Sequence, residues 1–130
     1  GPQPRNVPDL TNLTVDEANA AVAGVQLALA QGEPVFSDKV EAGRVISQDK
    51  AANTPVPRGD TITVVLSKGP DLVVVPNLAG MTEEQAVQAL KDAGLTPGTS
   101  TGVAGGVVGT QLPEANKSVK RGTKVDFIKA

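Results

Sequence analysis

The sequence predicts an α+β architecture: two small modules in tandem, each one helix packed on a small three-stranded β-sheet, arranged head to tail. Three observations carry this expectation. Val7-Pro8-Asp9-Leu10 returns as Val75-Pro76-Asn77-Leu78, 68 positions later, and the same offset still relates Ala18 to Ala86. Self-similarity over that distance marks a recurring structural unit. Within each copy a threonine stands three residues ahead of Glu or Gln and opens a run with helical apolar spacing. Each copy then closes on an alternating stretch that reads as a half-buried strand. One amphipathic helix covering one face of a small sheet is a layered α+β unit.

The elements follow in chain order. Gly1-Pro2 reads as a cloning remnant, and residues 1–6 as a tag or linker fragment cut from a longer protein. The first module is assigned residues 7–69. Pro8 disfavours helix at the residue before it, so Val7 is extended. Thr14 and Glu17 form a capping box, after which Ala18, Val22 and Val25 share one helical face. The counterparts in the second module are Thr82 and Gln85, then Ala86, Leu90 and Ala93. Gly94, with Pro97 beyond it, stops the second helix because glycine accepts the left-handed pose at C′. The first module has Gln26 there, which leaves its helix end less defined, and Leu27 to Ala30 is read as the start of a strand.

Further on, Gln48 and Gln111 are only 63 positions apart, as are Asn53 and Asn116. The first module therefore carries about five extra residues between helix and second strand, placed around Gln31 to Lys39 in a surface loop, where insertion is tolerated. Asn53 and Asn116 are expected in turns at positive φ, which asparagine tolerates better than other non-glycine residues. After Gly59 and Gly122 the alternation turns Ile62, Val64 and Leu66 to one face, and Val125 and Phe127 likewise. Thr61 and Thr63, or Lys124 and Asp126, fall on the other. Gly69-Pro70 punctuates the chain, with residues 70–74 as linker and 75–130 as the second module.

Composition excludes much. The chain has 130 residues, 39% of them hydrophobic and 20% charged, and a net charge of −2, so it offers no basic field for nucleic acid or anionic lipid. The absence of Cys and His rules out disulfides, thiol nucleophiles, imidazole bases and common zinc sites; no metal or cofactor is expected. No run approaches the roughly 20 apolar residues of a membrane span. Ser67-Lys68, the one adjacent Ser–Lys pair worth weighing for catalysis, reads as a solvated linker. Glu83-Glu84 suits the positive end of a helix, and Gly105-Gly106 lacks the strand–helix setting of a nucleotide loop.

These residues resemble PASTA domains, the modules associated with penicillin-binding proteins and Ser/Thr kinases. The resemblance rests on Val-Pro-x-Leu, then Gly80-Met81-Thr82-x-x-x-Ala86, Leu90-x-x-Ala93-Gly94-Leu95, and the closing Val108, Gln111, Pro113, Val119, Gly122 and Val125. It spans residues 7 to 129 as two copies. Lys50 stands where proline is usual, Gln26 where glycine is, and Asn53 and Asn116 replace a turn glycine. The resemblance implies a non-catalytic fragment on the extracytoplasmic face of a bacterial membrane, belonging to a membrane-anchored Ser/Thr kinase. It implies a module that senses or localises to peptidoglycan fragments or cell-wall precursors, notably the stem peptide, and influences wall growth and division. Other cell-division proteins are implied as partners, and a ligand-induced dimer is compatible with it. A spacer or docking module of a transpeptidase, with no small ligand, is the alternative. Candidate ligand-binding residues are Gln48, Arg58, Gln111 and Arg121. The glutamines also suit bonds to turn backbone; the arginines could grip a carboxylate or remain solvated turn charges. Neither module offers Tyr or Trp as a sugar platform, which directs recognition toward peptide or charge.

Overall fold

The computed structural model describes residues 3–130, so Gly1-Pro2, read above as a cloning remnant, lies outside the described residues. The chain divides into two compact units, the second being Leu72–Ala130. The first contains β1 (Arg5–Asn6), α1 (Val15–Gly24), β2 (Ala28–Gln31), β3 (Val45–Gln48), β4 (Pro55–Val56) and β5 (Thr61–Leu66). The second repeats the series as β6 (Leu72–Val74), α2 (Glu83–Asp92), β7 (Thr96–Gly102), β8 (Val108–Leu112), β9 (Ser118–Lys120) and β10 (Lys124–Lys129).

Each unit has a three-stranded sheet with the last strand in the middle, ordered β2-β5-β3 and β7-β10-β8. The central strand runs parallel to the strand that follows the helix and antiparallel to the other. The alternation of the closing strands sets the faces. Ile62 and Val64, and likewise Val125 and Phe127, are buried beneath the helix. From the helix side, Ala18 and Val22 meet the first core, and Ala86 and Leu90 the second. Val25 and Ala93 pack at the margin of the two cores. With Phe127 the one aromatic in either core, aliphatic burial supplies nearly all the drive for folding.

Both capping boxes form. The Thr14 Oγ accepts the Glu17 N–H at 3.2 Å while Glu17 accepts the Thr14 N–H at 2.9 Å, and Thr82 with Gln85 repeats this at 3.2 and 3.0 Å. Asn53 and Asn116 have φ of 67° and 69°, the positive values their turns require. Gln26 takes the pose of a C′ glycine, with φ 59° against 80° for Gly94, so the first helix ends as the second does and Ala28–Gln31 is a strand.

Three features differ from the sequence reading. Leu72–Val74, assigned to a linker, is a strand paired antiparallel with Ser118–Lys120, and Arg5–Asn6 pairs with Pro55–Val56 in the same way. These two-stranded ladders are too short to leave a periodic trace in the sequence. Ser67, read as solvated, is only 4% exposed. Its hydroxyl donates to the Val40 carbonyl at 2.6 Å and accepts the Gly69 N–H at 2.8 Å, tying the first module's extra loop to its final residues. Lys68 lies with its ammonium 4.6 Å from the centre of the Phe36 ring, a cation–π contact rather than a reactive pairing.

Candidate functional site

The four candidate residues separate into two classes. Gln48 and Gln111 are half-buried and committed to backbone. Gln48 Oε1 accepts the Leu10 N–H at 2.8 Å, and its Nε2 donates to the carbonyls of Pro8 at 3.0 Å and Lys50 at 2.9 Å. Gln111 repeats the arrangement with the Leu78 N–H at 2.9 Å and the carbonyls of Pro76 at 3.0 Å and Pro113 at 3.3 Å. Each glutamine thus pins the Val-Pro-x-Leu loop to a strand of the sheet. The loop's peptide groups have no ladder partner there, and buried peptide groups demand one.

Arg58 and Arg121 are exposed, each immediately before a turn glycine at φ 88° or 86°. They sit at equivalent places in separate units. The turn they precede is anchored identically in both: Gly59 N–H donates to the Gln26 carbonyl and Gly122 N–H to the Gly94 carbonyl, each at 2.8 Å. Arg121 is not an unattached side chain; its guanidinium packs so closely over Gly94 that a methyl group there would collide with it.

Charge near the turns is otherwise local. Where the second module has Pro113, Lys50 donates to the Thr61 carbonyl at 2.6 Å and lies 3.2 Å from Asp60 and 4.0 Å from Asp49. Glu83, at the start of α2, accepts from the Ser100 hydroxyl and pairs with Lys129 at 3.2 Å. The Ser100 bond, then Lys129, holds its carboxyl below the usual range. Among the described residues no group of acidic side chains is placed to hold a metal ion.

One surface went unnoticed in the sequence. The outward face of the β7-β10-β8 sheet is a groove of about 470 Å³ lined by Thr99, Thr101, Thr110, Leu112, Asp126 and Ile128. In sequence these are the polar-face positions of ordinary alternating strands. The available signal was the branched aliphatic Ile128 on the same strand face as Asp126. Leu112 and Ile128 are 68% and 54% exposed, on a face that solvent normally keeps polar.

Comparison with known proteins gives the same division. The model of the PASTA domain family matches residues 5–68 and again 73–129. The chain is 35% identical over 127 residues to the Serine/threonine-protein kinase PknB of Mycolicibacterium smegmatis, covering 91% of this chain and 20% of that protein. It is 37% identical over 111 residues to the Bifidobacterium longum protein named "Probable serine/threonine-protein kinase pknA2", covering 85% of this chain and 14% of that one. The chain therefore spans a fifth or less of the length of these relatives. Among solved structures, the three-PASTA-domain region of a Ser/Thr kinase from Staphylococcus aureus superimposes with a TM-score of 0.62 at 26% identity, covering 96% of this chain and 65% of that one. With two helix-on-sheet units, two capping boxes and two family matches in register, the chain belongs to the PASTA domain family, as a tandem pair of these non-catalytic modules.

Proposed function

We propose that the chain is part of the extracytoplasmic region of a bacterial membrane Ser/Thr kinase, where it recognises peptidoglycan fragments through their stem peptides and so links wall growth and division to signalling. The observation that carries the reading is the match to kinases of this type along nearly the whole chain, at 35% identity over 127 residues. The surface is consistent with peptide rather than sugar recognition. Phe36 is the one exposed aromatic, and it already stacks under Lys68. Arg58 and Arg121 supply exposed guanidinium groups on glycine turns braced by the helix end, suited to bidentate contact with a peptide carboxylate. Gln48 and Gln111 act indirectly, by fixing the loop that leads into each helix.

The test is a titration of isotope-labelled protein with soluble muropeptides, following the amide resonances. Shifts confined to the turns at Arg58 or Arg121, lost in Arg58→Ala or Arg121→Ala, support the reading. A flat response, with the fragment still recruited to the division septum, assigns it instead to protein docking or spacing.

A further inference from the structure

The groove on the outer sheet face of the second module is a grid of two rows. Strand register sets Asp126 directly opposite Leu112, and Ile128 opposite Thr110 on one side and Thr101 on the other. Thr99 completes the first row, because its N–H donates to Asp126 Oδ1 at 2.7 Å. That bond is possible because β7 shifts register beside Val125 and Phe127, and because residue 98 is glycine: a side chain there would overlap the Asp126 carboxylate. The backbone is thus shaped around this one acid, whose second oxygen has no partner among the described residues. Lys124 shares its face of β10 but stands two residues away and does not line the groove.

The first module shows what a carboxylate on this face does when a cation is supplied internally. Its outward acid is Asp49, at the position equivalent to Leu112, and Asp49 Oδ1 accepts the Thr63 N–H at 2.9 Å. There the Lys50 ammonium stands 4.0 Å from Asp49 and 3.2 Å from Asp60. The second module has Pro113 in place of that lysine, so its acid is left without the built-in counter-charge, between two exposed aliphatic side chains.

We infer that this groove is a binding site for a short peptide bearing a lysine-type ammonium, with Asp126 taking the ammonium, Leu112 and Ile128 covering the alkyl stem, and the hydroxyls of Thr99, Thr101 and Thr110 meeting the peptide groups. A flexible stem ending in a compact cation fits an apolar strip ending in a carboxylate. The site lies wholly within the second module and shares no residue with the arginine turns, so the defined peptides below test it separately from the muropeptide titration.

Three acetylated, amidated tripeptides test it: alanine flanking lysine, norleucine or glutamate. Titrated separately against the labelled two-module protein, the lysine peptide should shift the amides of Thr99, Thr110, Leu112, Asp126 and Ile128, leaving the β2-β5-β3 face unmoved. It should bind about fivefold more tightly than the norleucine peptide, the size expected of one partly exposed charge pair, and the glutamate peptide should bind weakest. Asp126→Asn keeps an oxygen for the Thr99 N–H and should reduce the lysine peptide to the level of norleucine. Leu112→Lys places an ammonium opposite Asp126, as Lys50 provides for Asp49, and should block the lysine peptide even if the asparagine variant folds poorly. Equal binding of all three peptides, shifts scattered outside the groove, or undiminished lysine-peptide binding in folded Asp126→Asn or Leu112→Lys protein would overturn the assignment.

Discussion

Gln26 and Gly94 hold the same backbone pose in their respective modules: both lie at positive φ, and both carbonyls accept the N–H of a turn glycine at 2.8 Å. Only one of them is a residue that adopts this pose without steric cost. The left-handed region costs a residue with a Cβ on the order of 1 kcal/mol, partly offset by the greater freedom glycine loses on folding. Gln26→Gly should therefore stabilise the first module by about 0.5 kcal/mol. Gly94→Ala should destabilise the second by about 1 kcal/mol or more, since the new methyl also displaces Arg121. Urea unfolding followed by resolved amide resonances reports each module separately.

The paired glutamines should be more costly to remove. Gln111→Ala strands the Leu78 N–H and the Pro76 carbonyl beneath the loop. An unsatisfied buried peptide group costs roughly 1–3 kcal/mol, so a loss of about 2–3 kcal/mol in the second module is expected. Gln111→Glu should not rescue it, because the carboxylate cannot donate to the two carbonyls. Gln48→Ala should have the same effect on the first module, with the second module's unfolding midpoint as the internal control.

Acid should act on the first helix cap through a group that the second lacks. The Thr14 N–H, then the Thr14 hydroxyl, holds the Glu17 carboxyl below its ordinary value of 4.5, whereas Gln85 fills the equivalent place without titrating. A depressed folded-state pKa gives stability that is present above the unfolded value and lost as pH falls through the folded one. The cap of the first module should therefore weaken below about pH 4.5. Glu17→Gln should flatten that part of the pH profile while leaving the second module's profile unchanged, as read by amide exchange in α1 between pH 3 and 6.

Ser67→Ala should release the extra loop of the first module. It removes the hydroxyl shared by Val40 and Gly69. A destabilisation of about 1–3 kcal/mol is expected from the buried groups left unpaired. Faster hydrogen exchange at the Gly69 amide, with the core amides of Ile62 and Val64 less affected, would distinguish local loosening from global loss.

Much of this fold was legible because its signals are local. A capping box needs four residues, a left-handed turn one asparagine, and a strand face an alternation such as Ile62 and Val64. The strand order was not legible, since nothing within Thr61–Leu66 or Lys124–Lys129 says that each will sit between two others. Nor was the role of Ser67, which depends on a loop folding back from more than twenty residues upstream. The groove escaped for a related reason: Thr99, Thr110 and Asp126 look like an ordinary wet face until the register places Leu112 across from Asp126. In the case of Gln48 and Gln111 the sequence offered both a ligand contact and a backbone contact; the observed bonds are to backbone.

In each module the keystone strand is also the one synthesised last. Until β5 emerges, β2 and β3 have no neighbour to bind, and β7 and β8 wait likewise for β10. A half-synthesised module would thus remain pliable, closing only when its final half-dozen residues joined the sheet. Closure by a terminal segment lets the first module complete its sheet before the last strand of its successor exists.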